Sequence, residues 1–334
     1  ENFFDIRKKD SAILFKEFEI SEKKDFCKQH QNKYPVINLS LKGIKETSWD
    51  KCLEIFKYTI SKLYQEHRYL LKSEKLESNE KQTFETIIEE TGSETKYNTS
   101  LQNLSNYLKK HFNEKVIILV DEYDTPIISA FKNTAKPIKS EKGKTTYYEH
   151  VISFMQTFLG EAFKGNEENL SKGLLTGVMR VGRESIFSEW NNLSVFGITS
   201  AYFSDKFGFT QRETEHLLKY FGLQSHNHEI EKWYNGYKFG NTDKIYNPWS
   251  IVNYISKVDD GFKSYWVNTG DYSLIKERIS EKGVKDRIQE LIEGEMINKQ
   301  LNDNFVFSDF ETDSELIWTL LTYNGFLTQI EESK

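Results

Sequence analysis

Asp121, Glu122 and Asp124 place three carboxylates within four consecutive positions, directly behind the aliphatic run Val116-Ile117-Ile118-Leu119-Val120. Such a cluster is suited to holding a divalent cation and to orienting or deprotonating a water molecule. A hydrophobic strand ending in Asp-Glu is the Walker B pattern, in which the Asp side holds magnesium beside bound phosphates. On that pattern Asp121 is the metal-side, cofactor-binding carboxylate, and Glu122 is the catalytic residue that positions the attacking water. Asp124 is expected to brace the turn ahead of Pro126, which stops the strand. The plainer alternative is a core strand with a solvated acidic exit. The longer string through Tyr123, Asp124 and Pro126 is harder to obtain by chance than Asp-Glu alone.

A second set lies in Thr176-Gly177-Val178-Met179-Arg180, followed by Gly182, Arg183 and Glu184. The strand beside a Walker B strand often ends in a polar residue that senses the γ-phosphate, and a nearby Arg neutralises charge developing in transfer. Thr176 suits the first role as a nucleotide-binding residue, and Arg180 the second as a catalytic one. The alternative for Arg180 is a structural ion pair with Asp121 or Asp124. His226 and His228 sit in a polar turn that reads as solvated loop rather than metal site. Nuclease chemistry finds no carboxylate-lysine set behind a suitable strand, since Glu114-Lys115 precedes the wrong one.

Both sets need strands to deliver them. Five unbroken aliphatic residues, mostly β-branched, are too short for a helix and read as a strand buried on both faces. In an open α/β sheet, ligands sit beyond the carboxyl ends of parallel strands, where these acids emerge. Residues 34–41 alternate into an earlier strand closed by Gly43, and residues 173–178 read as the following one. The opening 1–18 is expected as a helix and a turn. A helix capped by Thr47 or Ser48 runs to about Leu71, residues 72–98 read as a charged helical connection on the surface, and Ser100 caps a helix to Phe112. The lysine-rich stretch 132–146 reads as a surface loop, and 148–163 as a strongly amphipathic helix. Strand, helix, strand, helix, strand is the rhythm of a parallel sheet with right-handed crossovers. From Phe207 the character changes, with helices expected after Thr210 and Pro248, at 284–293 and at 314–324. The fold class is α/β: a phosphate-loop-NTPase-like parallel sheet flanked by helices over residues 1–206, then a mainly helical domain over 207–334.

Composition narrows the classes. The 334 residues can bury a substantial core, and 14% aromatic content argues against disorder despite 37% hydrophobic residues. A net charge of −6 gives no global electrostatic reason to bind nucleic acid or an acidic membrane. Cys27 and Cys52 alone form no disulfide framework or zinc set, so a reducing, cytoplasmic compartment is expected. No apolar run reaches bilayer-spanning length.

The strings Tyr34-Pro-Val-Ile-Asn-Leu-Ser40, Leu119-Val-Asp-Glu-Tyr-Asp-Thr-Pro-Ile127, Leu175-Thr-Gly-Val-Met-Arg180, Trp233-Tyr-Asn-Gly-Tyr-Lys-Phe-Gly240 and Tyr246-Asn-Pro-Trp-Ser250 resemble motifs of the bacterial and fungal AAA-ATPase-like family, in that family's order. The resemblance implies a phosphate-loop ATPase core that uses ATP and Mg2+. It also implies, for many members, a restriction-endonuclease-like domain after the helical part. Members place a Gly-Lys-Ser/Thr phosphate loop just upstream of the helix that opens here as Glu1-Asn2-Phe3-Phe4. No such loop occurs in this sequence: Gly143-Lys144-Thr145 has Ile138 where the first glycine belongs and follows no hydrophobic strand. With Glu1 in place of Met, the sequence is expected to be a piece of a longer protein or a truncated product kept for another purpose. The leading expectation is the body of an ATP-hydrolysing switch whose phosphate-gripping segment lies outside this chain. The alternatives are a non-catalytic module that binds a protein partner through the helical domain, and an accessory part of a nucleic-acid-processing protein, the latter by family association alone.

Overall fold

Three parallel strands share one sheet in the order β1 (Val36–Ser40), β2 (Val116–Asp121), β3 (Leu170–Leu175), which puts the aliphatic strand in the middle. Val36 pairs with Ile117 and Ser40 with Asp121 on one side of β2, while Ile118 pairs with Gly173 and Val120 with Leu175 on the other. Val116, Ile117, Ile118 and Val120 are buried, as an unbroken apolar strand requires. The computed structural model describes residues 1–134, 145–178, 186–187, 190, 193–266, 273–280, 282–302, 305, 309–310 and 312–330.

β3 lies earlier than the stretch 173–178 expected from apolar residues. The backbone explains the shift. The Val116 amide donates to the Asn169 carbonyl (2.8 Å), which starts the pairing ahead of the apolar residues, and Thr176 leaves the ladder after donating to the Val120 carbonyl (2.9 Å). Leu174 is 54% exposed on this outer strand, in contrast to the buried centre.

Helix α1 (Lys24–His30) precedes β1. The crossover from β1 to β2 holds α2 (Trp49–Glu66), α3 (Ser78–Ile88), α4 (Glu94–Asn98) and α5 (Ser100–Phe112), and the crossover from β2 to β3 holds α6 (Thr125–Asn133) and α7 (Tyr147–Phe163). Their apolar faces follow helical spacing: Phe56, Ile60 and Tyr64 on α2, Leu101, Leu104 and Leu108 on α5, Val151, Met155 and Phe158 on α7, all buried. Thr146 and Glu149 close the start of α7 with a reciprocal capping box, at 3.2 and 2.9 Å. The region read as a surface connection is packed instead. Phe84, Ile87 and Tyr97 are fully buried there, and Phe84 lies 4.7 Å from the Tyr64 ring.

The opening segment is not the helix expected. Asp5 forms a parallel bridge to Tyr34, a 3-10 helix follows at Lys9–Phe15, and the Asn32 side-chain amide donates to the carbonyls of Asn2, Asp5 and Lys8 at 2.9–3.1 Å. Asp5, fully buried, pairs with Arg7 at 2.8 Å, and Arg7 reaches the Glu66 carbonyl at the end of α2. Beside them His67 is held down to a pKa of about 3, chiefly by burial and then by the Arg7 charge.

The chain divides into two compact units, Glu1–Leu193 with Asn304–Ser308, and Ser194–Asp303 with Asp309–Lys334. The second, taken by itself, carries α8 (Gln211–Tyr220), α9 (Asn227–Tyr234), a hairpin of β4 (Asn235–Phe239) and β5 (Thr242–Tyr246), then α10 (Pro248–Ser256), α11 (Ser273–Ile279), α12 (Lys282–Ile292) and α13 (Leu316–Tyr323). Thr210 caps α8 through a box with Glu213, and Asn247 caps α10 ahead of Pro248. The hairpin is what the helical reading of this region omits. Its turn depends on Gly240, where a Cβ would fall 2.2 Å from the Ser200 carbonyl oxygen and φ is +49°.

Candidate functional site

The carboxyl ends of the three parallel strands bring Ser40, Asp121 and Thr176 into one row. Ser40 is the register partner of Asp121, and the Leu41 amide donates to the Asp121 carbonyl (2.9 Å). Thr176, one residue past β3, donates its hydroxyl to Asp121 Oδ1 at 2.5 Å. Asp121 is exposed and takes no other side-chain hydrogen bond among the described residues.

Behind Asp121 the chain turns tightly. The Tyr123 amide donates to the Thr176 carbonyl (3.1 Å), which ties the acidic turn to the exit of β3. Glu122 takes a left-handed backbone, φ +52°, and its Oε2 accepts from the Thr125 hydroxyl at 3.2 Å. The Thr125 amide donates to the Glu122 carbonyl at 3.1 Å. Asp124 is fully buried at the N-cap position of α6, and Pro126 sits in the first turn of that helix, where its missing N–H forgoes no intrahelical bond. Pro126 thus starts a helix; the strand has already ended at Asp121. Gly177 lies so close that a Cβ there would stand 2.8 Å from Asp124 Oδ1 and 2.8 Å from Tyr123 Cε1. The Tyr123 ring in turn meets Phe187 edge-on at 5.5 Å.

Asp121, Glu122 and Thr176 are therefore brought together, whereas Arg180 lies outside the described residues, as do Gly143 and Lys144. Three further residues join them without being marked as site residues by sequence. Ser40 carries no local signal beyond ending a strand. Thr125 and Gly177 stand inside the motif strings, but their contacts depend on a left-handed Glu122 and on the close passage of two turns.

The donor set is all oxygen: a carboxylate with a hydroxyl beside it, and a second carboxylate one residue on. That chemistry fits a hard cation such as Mg2+, which is bound through one or two carboxylates with waters and substrate phosphates completing the shell. Among the described residues no group of three His, Cys, Asp or Glu side chains forms a cage for a metal on its own. Asp121 would be the residue to hold Mg2+, directly or through water. No described helix is long and apolar enough to cross a membrane.

Residues 1–187 match the profile of the family described as AAA-ATPase_like, Predicted AAA-ATPase. The chain is also 26% identical over 217 residues to an "Uncharacterized protein in vnfD 5'region" from Azotobacter chroococcum mcd 1. That match takes in 64% of this chain and 37% of the relative, so the chain spans well under half of the relative's length. No solved structure matches the chain significantly.

Proposed function

Because the chain belongs to the AAA-ATPase-like family, we propose that its first unit is the body of an ATP-binding and ATP-hydrolysing switch. The observation that carries the reading is the hydrogen-bonded pair Asp121 and Thr176 at the carboxyl ends of adjacent parallel strands, with Glu122 immediately behind. Asp121 would hold Mg2+, Glu122 would orient the attacking water, and Arg180 would offset charge at the γ-phosphate. Thr176, through its hydroxyl, sets the Asp121 carboxylate and would serve as the nucleotide-binding residue beside it. Bound Mg2+ would supply Lewis-acid polarisation of the phosphoryl oxygens. The backbone amides and lysine that grip phosphates come, on this reading, from a segment not among these 334 residues. The outer edge of β3, with Leu174 exposed and no strand paired to it among the described residues, suits the addition of such a segment.

The test is calorimetric binding of magnesium-ATP and steady-state phosphate release. Residues 1–334 alone are expected to bind weakly or not at all, and the protein that includes a phosphate loop to bind and turn over. In the latter, Asp121→Asn lowers both affinity and rate, because a metal-side charge acts in ground and transition states alike. Glu122→Gln retains binding and lowers the rate on the order of 10²–10⁴-fold. Tight binding by residues 1–334, or parental turnover by Glu122→Gln, overturns the assignment.

A second reading rests on Tyr202, Phe207 and Tyr220 in the second unit, each more than two-thirds exposed at 75%, 68% and 78%. Exposed aromatics of this size favour a protein-binding surface there, with or without hydrolysis in the first unit.

A further inference from the structure

Within the acidic turn, Glu122 is the residue with the left-handed backbone. That conformation is costly for a residue with a Cβ, and glutamate, unlike glycine or asparagine, brings nothing that relieves it. It persists because the peptide groups on both sides are fixed. The Asp121 carbonyl accepts from Leu41, the Glu122 carbonyl accepts from Thr125, and the Tyr123 amide donates to Thr176. A strained residue held this firmly at the mouth of a parallel sheet points to a side chain whose direction matters.

The direction of the carboxylate has its own support. The Thr125 hydroxyl donates to Glu122 Oε2 at 3.2 Å. Thr125 opens α6, yet its hydroxyl makes no helix-capping bond, and the N-cap position belongs to Asp124. We infer that Thr125 is a positioning residue: its hydroxyl holds the Glu122 carboxylate in the orientation from which it addresses water. The inference rests on the ATPase reading and adds to it a residue that acts through Glu122.

The experiment uses the protein that includes a phosphate loop, with Thr125→Val, Thr125→Ser, Glu122→Gln and the Thr125→Val/Glu122→Gln double variant. Valine matches threonine in shape and replaces the hydroxyl with a methyl that cannot donate. Thr125→Val is expected to lower kcat about ten- to a hundredfold through loss of orientation. KM for magnesium-ATP and the melting temperature should hold, and Thr125→Ser should restore the rate. Adding Thr125→Val to Glu122→Gln should cost nothing further, since the two act through one carboxylate. Parental kcat in Thr125→Val, an additive cost in the double variant, or a serine that fails to rescue overturns the positioning role. If Thr125→Val is parental while Glu122→Gln is inactive, the ATPase reading survives and this inference falls. If Glu122→Gln is itself parental, both fall. The backbone half is checked in residues 1–334 alone: Glu122→Gly should raise the melting temperature, and a lower value refutes the strain argument.

Discussion

At the scale of single residues, the site depends on one contact that has no side chain on one side. Gly177 lets the chain leaving β3 pass against the buried Asp124 carboxylate and the Tyr123 ring, and a methyl there would overlap both at 2.8 Å. Gly177→Ala is therefore expected to destabilise the first unit by about 1–3 kcal/mol through overpacking, read as a lower urea midpoint with the slope unchanged. An unchanged midpoint would mean that this contact yields easily. Asp121 and Glu122 were legible in the sequence because the signal is local: an unbroken aliphatic run must be buried, and charges directly behind it must emerge at its end. Thr125 was not. Its bond to Glu122 exists only because the glutamate is left-handed, and nothing in a glutamate's chemistry announces that.

At the scale of elements, burial sorts the strands. Ile118 in β2 is fully buried with partners on both sides, whereas Leu174 in β3 is 54% exposed. Ile118→Ala should cost about 2–5 kcal/mol by leaving a cavity, and Leu174→Ala no more than about 0.5 kcal/mol. Denaturant unfolding of the two variants checks the contrast, and equal costs would contradict it. β2 and the helices with a clear apolar stripe were legible, since periodicity and a cap such as Thr210 are local signals. β4 and β5 were not. Asn235-Gly-Tyr-Lys-Phe239 has no apolar alternation, and its strand character comes from pairing with Thr242–Tyr246 and from the Gly240 turn. The opening segment escaped for a similar reason: its course is fixed by the distant Asn32 amide, which gathers the carbonyls of Asn2, Asp5 and Lys8, and by the bridge from Asp5 to Tyr34.

At the scale of the whole molecule, acid should weaken the fold through His67. Its folded pKa of about 3 lies below the ordinary 6.5, so the unfolded chain takes up a proton first as pH falls. Stability is fully present above 6.5 and is lost progressively between 6.5 and about 3. Urea midpoints across that window should fall more steeply for the parent than for His67→Gln, and parallel slopes would remove His67 as a cause. The sheet register has a consequence of another kind. Val36 must find Ile117, and Val116 must find Leu170, so no two neighbouring strands of the parallel sheet β1-β2-β3 are close in sequence. Each pairing closes a long loop before any ladder bond rewards it, which makes sheet formation slow relative to the local coiling of α2, α5 and α7. During synthesis on the ribosome, β1 emerges well before β2, the strand that it pairs with. Helices therefore precede the sheet in time, and β2 is the strand whose arrival lets the rest assemble.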